Sequence, residues 1–138
     1  MICVDAQGIP LVIDTESANR NEVLLVEPLI EKITLQNRHP ERLIYDKAAD
    51  SQQLRDNLAD MGIDLICPHR AIKNRKQKTQ DGRKLRRYTR RWIVERTIAW
   101  LHNFRRVVTR WEYHDYLYLN FVKLACLFTM LNRFSDYF

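Results

Sequence analysis

The chain has 138 residues and a mass of 16.6 kDa, about one domain by length, which excludes a large multidomain enzyme. Its 46% apolar and 10% aromatic content, with only three glycines and four prolines, is enough to build a packed core and excludes a disordered or low-complexity chain. The net charge of +6 and the pI near 9.4 point towards a polyanionic partner.

In chain order, Ile2-Cys3-Val4 and Pro10 to Asp14 flank Asp5-Ala6-Gln7-Gly8, residues suited to a turn, so the spacing predicts a β-hairpin. From Glu22 to Ile33 the apolar residues Val23, Leu24, Val26, Leu29, Ile30 and Ile33 recur at helical spacing behind Asn21, an N-cap residue. Arg42 to Tyr45 reads as a short strand ending at Asp46. Ser51 then caps a helix from Gln52 to Met61, closed by Gly62, and Asp64 to Cys67 is a further strand stopped by Pro68. The order strand, strand, helix, strand, helix, strand predicts an α/β fold around a mixed sheet. Arg70 to Arg87 has almost no apolar side chains and reads as a basic loop. From Tyr88 to about Arg106 the pattern is helical, with Tyr88, Arg91, Glu95 and His102 on one polar stripe. An apolar helix from about Tyr116 to Phe134 completes the chain, and no internal repeat is present.

The charge is unevenly spread. Between Arg70 and Arg110 there are fifteen Lys and Arg against Asp81 and Glu95, a local net of +13, so the remaining residues net −7. Like charges this dense repel unless something negative compensates them, and a phosphate backbone is the obvious candidate. Trp92, Trp100, Trp111 and Tyr113 add either a stacking mode of DNA contact or ordinary core packing. Cys3, Cys67 and Cys126 are odd in number and widely spaced, as expected of free thiols in a reducing compartment. The opening MICVDAQGIP lacks the basic and apolar regions of a secretory signal. Leu117 to Leu131, interrupted by Asn120 and Lys123, is shorter than the roughly 20 apolar residues of a membrane span and reads as a core helix. A cytosolic protein is expected.

Asp46 at a strand end and Glu95 on a helix are carboxylates of the kind that bind Mg²⁺ and serve phosphodiester chemistry. The plainer alternatives are that Asp46 caps a helix or loop and that Glu95 pairs with Arg91 four residues earlier. Asp5 reads as a turn residue rather than a ligand. His39, His69 and His114 show no ligand spacing.

The string Arg87-Tyr88-Thr89-Arg90-Arg91-Trp92-Ile93-Val94-Glu95-Arg96-Thr97-Ile98-Ala99-Trp100-Leu101 resembles the C-terminal signature of DDE-type transposases of bacterial insertion sequences. There a Tyr, an Arg three residues on and a catalytic Glu four further share one helix. VDAQGIPL, DTESANRNE, LIYDKAADS, ICPHRAIKNRK and VERTIAWLHNFRRVVTRWEYH resemble blocks of the same family, in its order. The resemblance implies an RNase H-like catalytic domain over residues 1–138, a mixed sheet flanked by helices with a helical C-terminal part. By it, Asp46 matches the second catalytic Asp and Glu95 the third acid, the two holding Mg²⁺ or Mn²⁺. Tyr88 and Arg91 match residues that contact DNA near the cut, with Arg75, Lys76, Arg87, Arg90 and His102 as further DNA contacts.

The implied activity is transposition by phosphodiester cleavage and strand transfer in a bacterial, cytoplasmic and nucleoid-associated protein. Its partners would be DNA, further copies of itself, and the product of an upstream reading frame. Three departures from the family pattern stand out. His102 occupies a position often held by Lys, and Ala48-Ala49 replaces the usual Gly-Tyr. The strand carrying the first catalytic Asp normally precedes the VDAQGIPL hairpin, so residues 1–138 alone are expected to be inactive. The alternative is a non-catalytic nucleic-acid-binding module or an inactive remnant.

Overall fold

The computed structural model describes residues 1–33, 40–70 and 80–135. They fall into two compact units, one of Met1–Arg20 with Ile93–Phe138 and the other of Asn21–Trp92. Each unit has its own two-stranded sheet. The architecture is α/β as expected, but the described strands form two small sheets rather than one mixed sheet.

In the first unit, β1 (Ile2–Val4) and β2 (Pro10–Ile13) pair antiparallel, with Ile2 opposite Ile13 and Cys3 opposite Val12. The turn between them is built by Asp5, whose carboxylate accepts from the backbone N–H groups of Gln7 and Ile9 at 2.8 Å each. Asp5 is thus a turn residue, as the sequence suggested. Gly8 has φ +87°, and a Cβ there would come within 2.9 Å of the Thr97 hydroxyl. Two requirements therefore meet at this glycine, a left-handed backbone and a close approach. The helices of the unit are α4 (Trp92–Leu101, its first residue belonging to the other unit), α5 (Arg105–Val108) and α6 (Asp115–Ser135). Leu101, Ala125 and Cys126 form the core, packed by Ile2, Ile13, Phe104 and Val107.

In the second unit, a 3₁₀ turn at Glu22–Leu25 leads into α1 (Val26–Glu31), and the Asn21 side chain accepts from Val23 N–H as the expected cap. β3 (Arg42–Ile44) and β4 (Asp64–Ile66) pair in parallel, joined by α2 (Gln52–Asp60). The Ser51 hydroxyl caps α2, and Gly62 (φ +76°) follows its C-terminus, both as the sequence indicated. Leu54 and Leu58, one turn apart, are fully buried with Val26, Ile30, Ile63 and Ile66. Apart from Asp64 at its start, β4 and its neighbours Ile63 and Cys67 are buried, Leu65 and Ile66 on opposite faces, as a buried parallel strand requires.

Three expectations need correction. The segment read as a basic loop over Arg70–Arg87 contains α3 (Gly82–Tyr88), while residues 71–79 lie outside the described part. Asp81 accepts from Arg83 N–H at 2.8 Å, and the Arg, Lys and Leu that follow are strong helix formers, so the charge density did not prevent a helix. The single helix from Tyr88 to Arg106 is instead α3, a 3₁₀ turn at Thr89–Arg91, α4 and, after a break, α5. Its stripe of Tyr88, Arg91, Glu95 and His102 is accordingly spread over successive elements. Finally, α6 is less buried than a core helix. Val122, Ala125 and Cys126 are buried, but Leu117, Phe121, Leu124, Leu127, Phe128 and Leu131 are each between 36% and 53% exposed. No described helix is long and apolar enough to cross a membrane.

Candidate functional site around Asp46

β3 delivers the chain to Asp46. Tyr45 N–H extends the ladder by donating to Ile66 C=O at 3.1 Å, after which Asp46, in extended conformation, opens a 3₁₀ turn over Lys47–Ala49. Its Oδ1 accepts from Lys47 N–H, an N-cap role that the plainer sequence reading allowed. Ala49 is fully buried and Ala48 is exposed, so the second residue of the Ala48-Ala49 pair is the one pressed against the core. The buried Cys67 thiol donates to the Asp46 carbonyl at 3.0 Å. Burial pushes that thiol up to about 11, so at neutral pH it keeps its proton and remains a donor. The backbone of Asp46 is thus fixed from two sides while its side chain is 49% exposed.

Two side chains of the basic segment meet that carboxylate. Tyr88, the last residue of α3, places its hydroxyl 3.4 Å from Oδ1, and Arg91, on the 3₁₀ turn that follows, places Nη1 3.2 Å from Oδ2. Three residues apart on helical backbone, they lie on one face, and the Arg91 guanidinium sits 6.0 Å from the centre of the Tyr88 ring. Partial burial raises the Tyr88 phenol above its ordinary value, and the Asp46 carboxylate pushes it the same way. Tyr45 is lifted to about 12 by burial and by the charges of Glu22 and Asp46. Both phenols therefore stay neutral donors at physiological pH.

Four residues on, Asp50 forms a second cluster that sequence reasoning missed. Its carboxylate takes Arg55 Nη2 at 3.0 Å, His69 Nδ1 at 2.9 Å and Arg70 N–H at 2.7 Å. Burial alone would raise its pKa, but these three donors outweigh it and bring it down to about 2. Arg55 also donates to the carbonyls of Leu65 and Cys67, tying α2 to β4. Residues 50, 55 and 69 come from a loop, a helix and the loop after β4, so no spacing signals the cluster.

The remaining candidates are placed as follows. Glu95 lies on α4 in the first unit, with an exposed side chain. Arg87 and Arg90 are exposed in the second unit, and His102 is exposed just after α4. Arg75 and Lys76 lie outside the described residues, as does His39. Trp92 and Trp111 are 52% and 68% exposed and so are not core residues. Trp100 is flanked by Arg96 and Arg133 at 4.7 and 4.8 Å, and both guanidiniums donate to the Gln7 carbonyl. Thr97, fully buried, donates to Gly8 C=O at 2.8 Å, so α4 and α6 hold the hairpin turn from above. Cys3, Cys67 and Cys126 are all free thiols.

A divalent cation asks for several oxygen ligands. Among the described residues no group of three or more His, Cys, Asp and Glu could hold one, and both Asp46 oxygens already accept hydrogen bonds. The described residues therefore do not by themselves make a metal cage.

Comparison with known proteins agrees with the sequence resemblance. The chain is 38% identical over 132 residues to a Burkholderia cepacia protein named as the candidate transposase of insertion sequence element IS402. That alignment covers 91% of this chain and 58% of the relative, so the chain spans little more than half of the relative's length. No solved structure matches the chain. The family model for the transposase DDE domain matches residues 1–130, nearly the whole chain and every block that carried the resemblance, and the chain therefore belongs to the DDE transposase domain family.

Proposed function

We propose that residues 1–138 are part of the RNase H-like catalytic domain of an insertion-sequence transposase that acts on DNA in the bacterial cytoplasm. In the complete enzyme, water attacks the phosphodiester at the element end, and the freed 3′-hydroxyl then attacks target DNA. The observation that carries the reading is the meeting of Tyr88 and Arg91 with Asp46, since these three match the family's DNA-contacting Tyr and Arg and its second acid. Arg91 and Tyr88 orient the strand near the cut, and the exposed Arg87 and Arg90, with His102, Arg75 and Lys76, bind phosphates. The family generally uses divalent metal. Asp46 and Glu95 are its assigned carboxylates here.

Titration of duplex DNA binding against salt tests the DNA reading. With about six basic groups on phosphates the log–log slope is near −5, and Arg91→Gln lowers the affinity and flattens the slope by about one. A salt-independent affinity overturns it. A second reading, a non-catalytic DNA-binding module, draws on Asp46 acting as a cap paired with Arg91. Thermal melts with EDTA and with Mn²⁺ separate the two. The catalytic reading requires a Mn²⁺-induced rise in melting temperature that shrinks in Glu95→Gln, whereas the module reading requires no such difference.

A further inference from the structure

The two halves of the Asp46 site hang on the same short stretch of chain. The Cys67 thiol donates to the Asp46 carbonyl, and Asp50, at the far end of the turn that Asp46 opens, takes the His69 ring and the Arg70 N–H. Residues 67–70 thus hold the acid in place. The other half, Tyr88 and Arg91, arrives on α3 and the turn that follows it. No residue of α3 is buried, and Leu85 and Tyr88 are its only large apolar side chains, so hydrophobic burial does little to place this helix. Its placement is polar. Gln80, one residue before the Asp81 cap, donates from Nε2 to the Cys67 carbonyl at 2.9 Å and accepts at Oε1 from His69 N–H at 2.9 Å. A parallel neighbouring strand takes the same two groups, from the residues on either side of the one it faces, so the side-chain amide stands in for a strand peptide just past β4. One donor and one acceptor also fix which way the amide faces. The other tie, Lys84 Nζ to Asp64 Oδ1 at 2.9 Å, joins side chains 52% and 37% exposed, a pair that water screens and that contributes little.

We propose that Gln80 is a positioning residue: its amide registers α3 against residues 67–69, so that Tyr88 and Arg91 reach the carboxylate that the same stretch of chain holds in place. The tolerance is small. The Arg91 contact at 3.2 Å and the Tyr88 contact at 3.4 Å are lost if α3 slides by about 1 Å, and side chains that converge on one point need supports that are themselves hydrogen-bonded. In its consequence for DNA the proposal rests on the function proposed above, whereas the positioning itself does not.

Amide NMR of the 138-residue chain without DNA tests it, because Lys47 N–H donates to Asp46 Oδ1 and so reports on what else that carboxylate holds. In wild type, Tyr88→Phe and Arg91→Gln should each shift the Lys47 amide. In a Gln80→Met background, where the side chain keeps its length and loses both hydrogen bonds, those shifts should fall by about half or more, and a Lys84→Met background should keep most of them. A residue that only stabilises the fold would lower the melting temperature and leave this response unchanged. Equal responses in the wild-type and Gln80→Met backgrounds, or a larger loss in Lys84→Met, overturn the proposal. If circular dichroism shows that Gln80→Met does not fold, Gln80→Glu, which keeps the acceptor for His69 N–H, takes its place with the same expectation. Failure of both to fold makes Gln80 a folding residue and also overturns the proposal. The salt titration reads the consequence: Gln80→Met should lower duplex affinity about threefold, and by less in an Arg91→Gln background. Uncoupling at Lys47 without salt-dependent DNA binding refutes the proposed function and leaves Gln80 its role, whereas Arg91-dependent binding without uncoupling does the reverse.

Discussion

Asp46 and Asp50 lie one short turn apart, and the fold treats them in opposite ways. Asp50 is only 15% exposed and holds Arg55, His69 and the Arg70 backbone. Asp46 is 49% exposed, with a 3.2 Å ion pair and a 3.4 Å hydroxyl contact. Arg55 is itself tied to the Leu65 and Cys67 carbonyls, so the largely buried Asp50 carboxylate acts as a structural rivet. Asp46 has a pinned backbone and a half-exposed head that accepts from Lys47 N–H, Tyr88 and Arg91. Low solvation and close donors make a carboxylate a stability element. An exposed carboxylate on a rigid support contributes little to stability and remains available to a ligand.

The largest effect should come from Asp50. Asp50→Ala leaves Arg55, 18% exposed, without its charge partner and removes the acceptor of Arg70 N–H, at a cost of about 3 kcal/mol. Urea denaturation measures it, and a loss below about 1 kcal/mol would erase the contrast between the two acids. Acid should reveal the same residue. Its folded pKa of about 2 lies below the ordinary 3.8, so the native state favours the ionised form. That stability, on the order of 2 kcal/mol, is fully present above pH 4 and is lost as pH falls through 2. Melting curves between pH 5 and pH 2 should therefore converge for wild type and Asp50→Asn as the acid limit is approached.

How much of this was legible beforehand follows from where each signal resides. The hairpin, β3, α2 and β4 were readable because their apolar periods and their punctuation at Gly8, Ser51 and Gly62 are local. The helix at Gly82–Tyr88 is hard to read because its charge density masks two local helix signals, the Asp81 cap and the propensity of Arg, Lys and Leu. The break after Leu101 was missed because Asn103 and Phe104 do not interrupt the apolar pattern strongly. Tyr88, Arg91 and Asp46 were named from the family pattern, and the second unit does bring those three together. Asp50 with His69 escaped because their pairing depends on tertiary placement alone.

Asp46→Ala sharpens the comparison from the weaker side. It removes a cap of a single 3₁₀ turn and an ion pair whose partners are 49% and 35% exposed. After discounting for solvent screening, the cost is about 1 kcal/mol or less. A loss equal to that of Asp50→Ala would make Asp46 a second rivet and remove the physical argument for its availability.

The smallest effect belongs to Tyr88→Phe. The hydroxyl stands 3.4 Å from Asp46 Oδ1, long for an O–H···O⁻ bond, and water can replace it at an exposed carboxylate, so its deletion should change stability by no more than about 0.5 kcal/mol. The ring still stands beside the Arg91 guanidinium, so the packing survives the change. If the hydroxyl serves only Asp46, DNA affinity in the variant equals that of wild type. If it donates to a phosphate, as the proposed function requires, affinity falls several-fold while the salt slope stays the same, because a neutral hydroxyl displaces no counterion. Parallel urea melts and salt titrations of the one variant read both quantities. A stability loss above about 1 kcal/mol with unchanged DNA affinity would instead place Tyr88 with Asp50, among the residues that hold the fold.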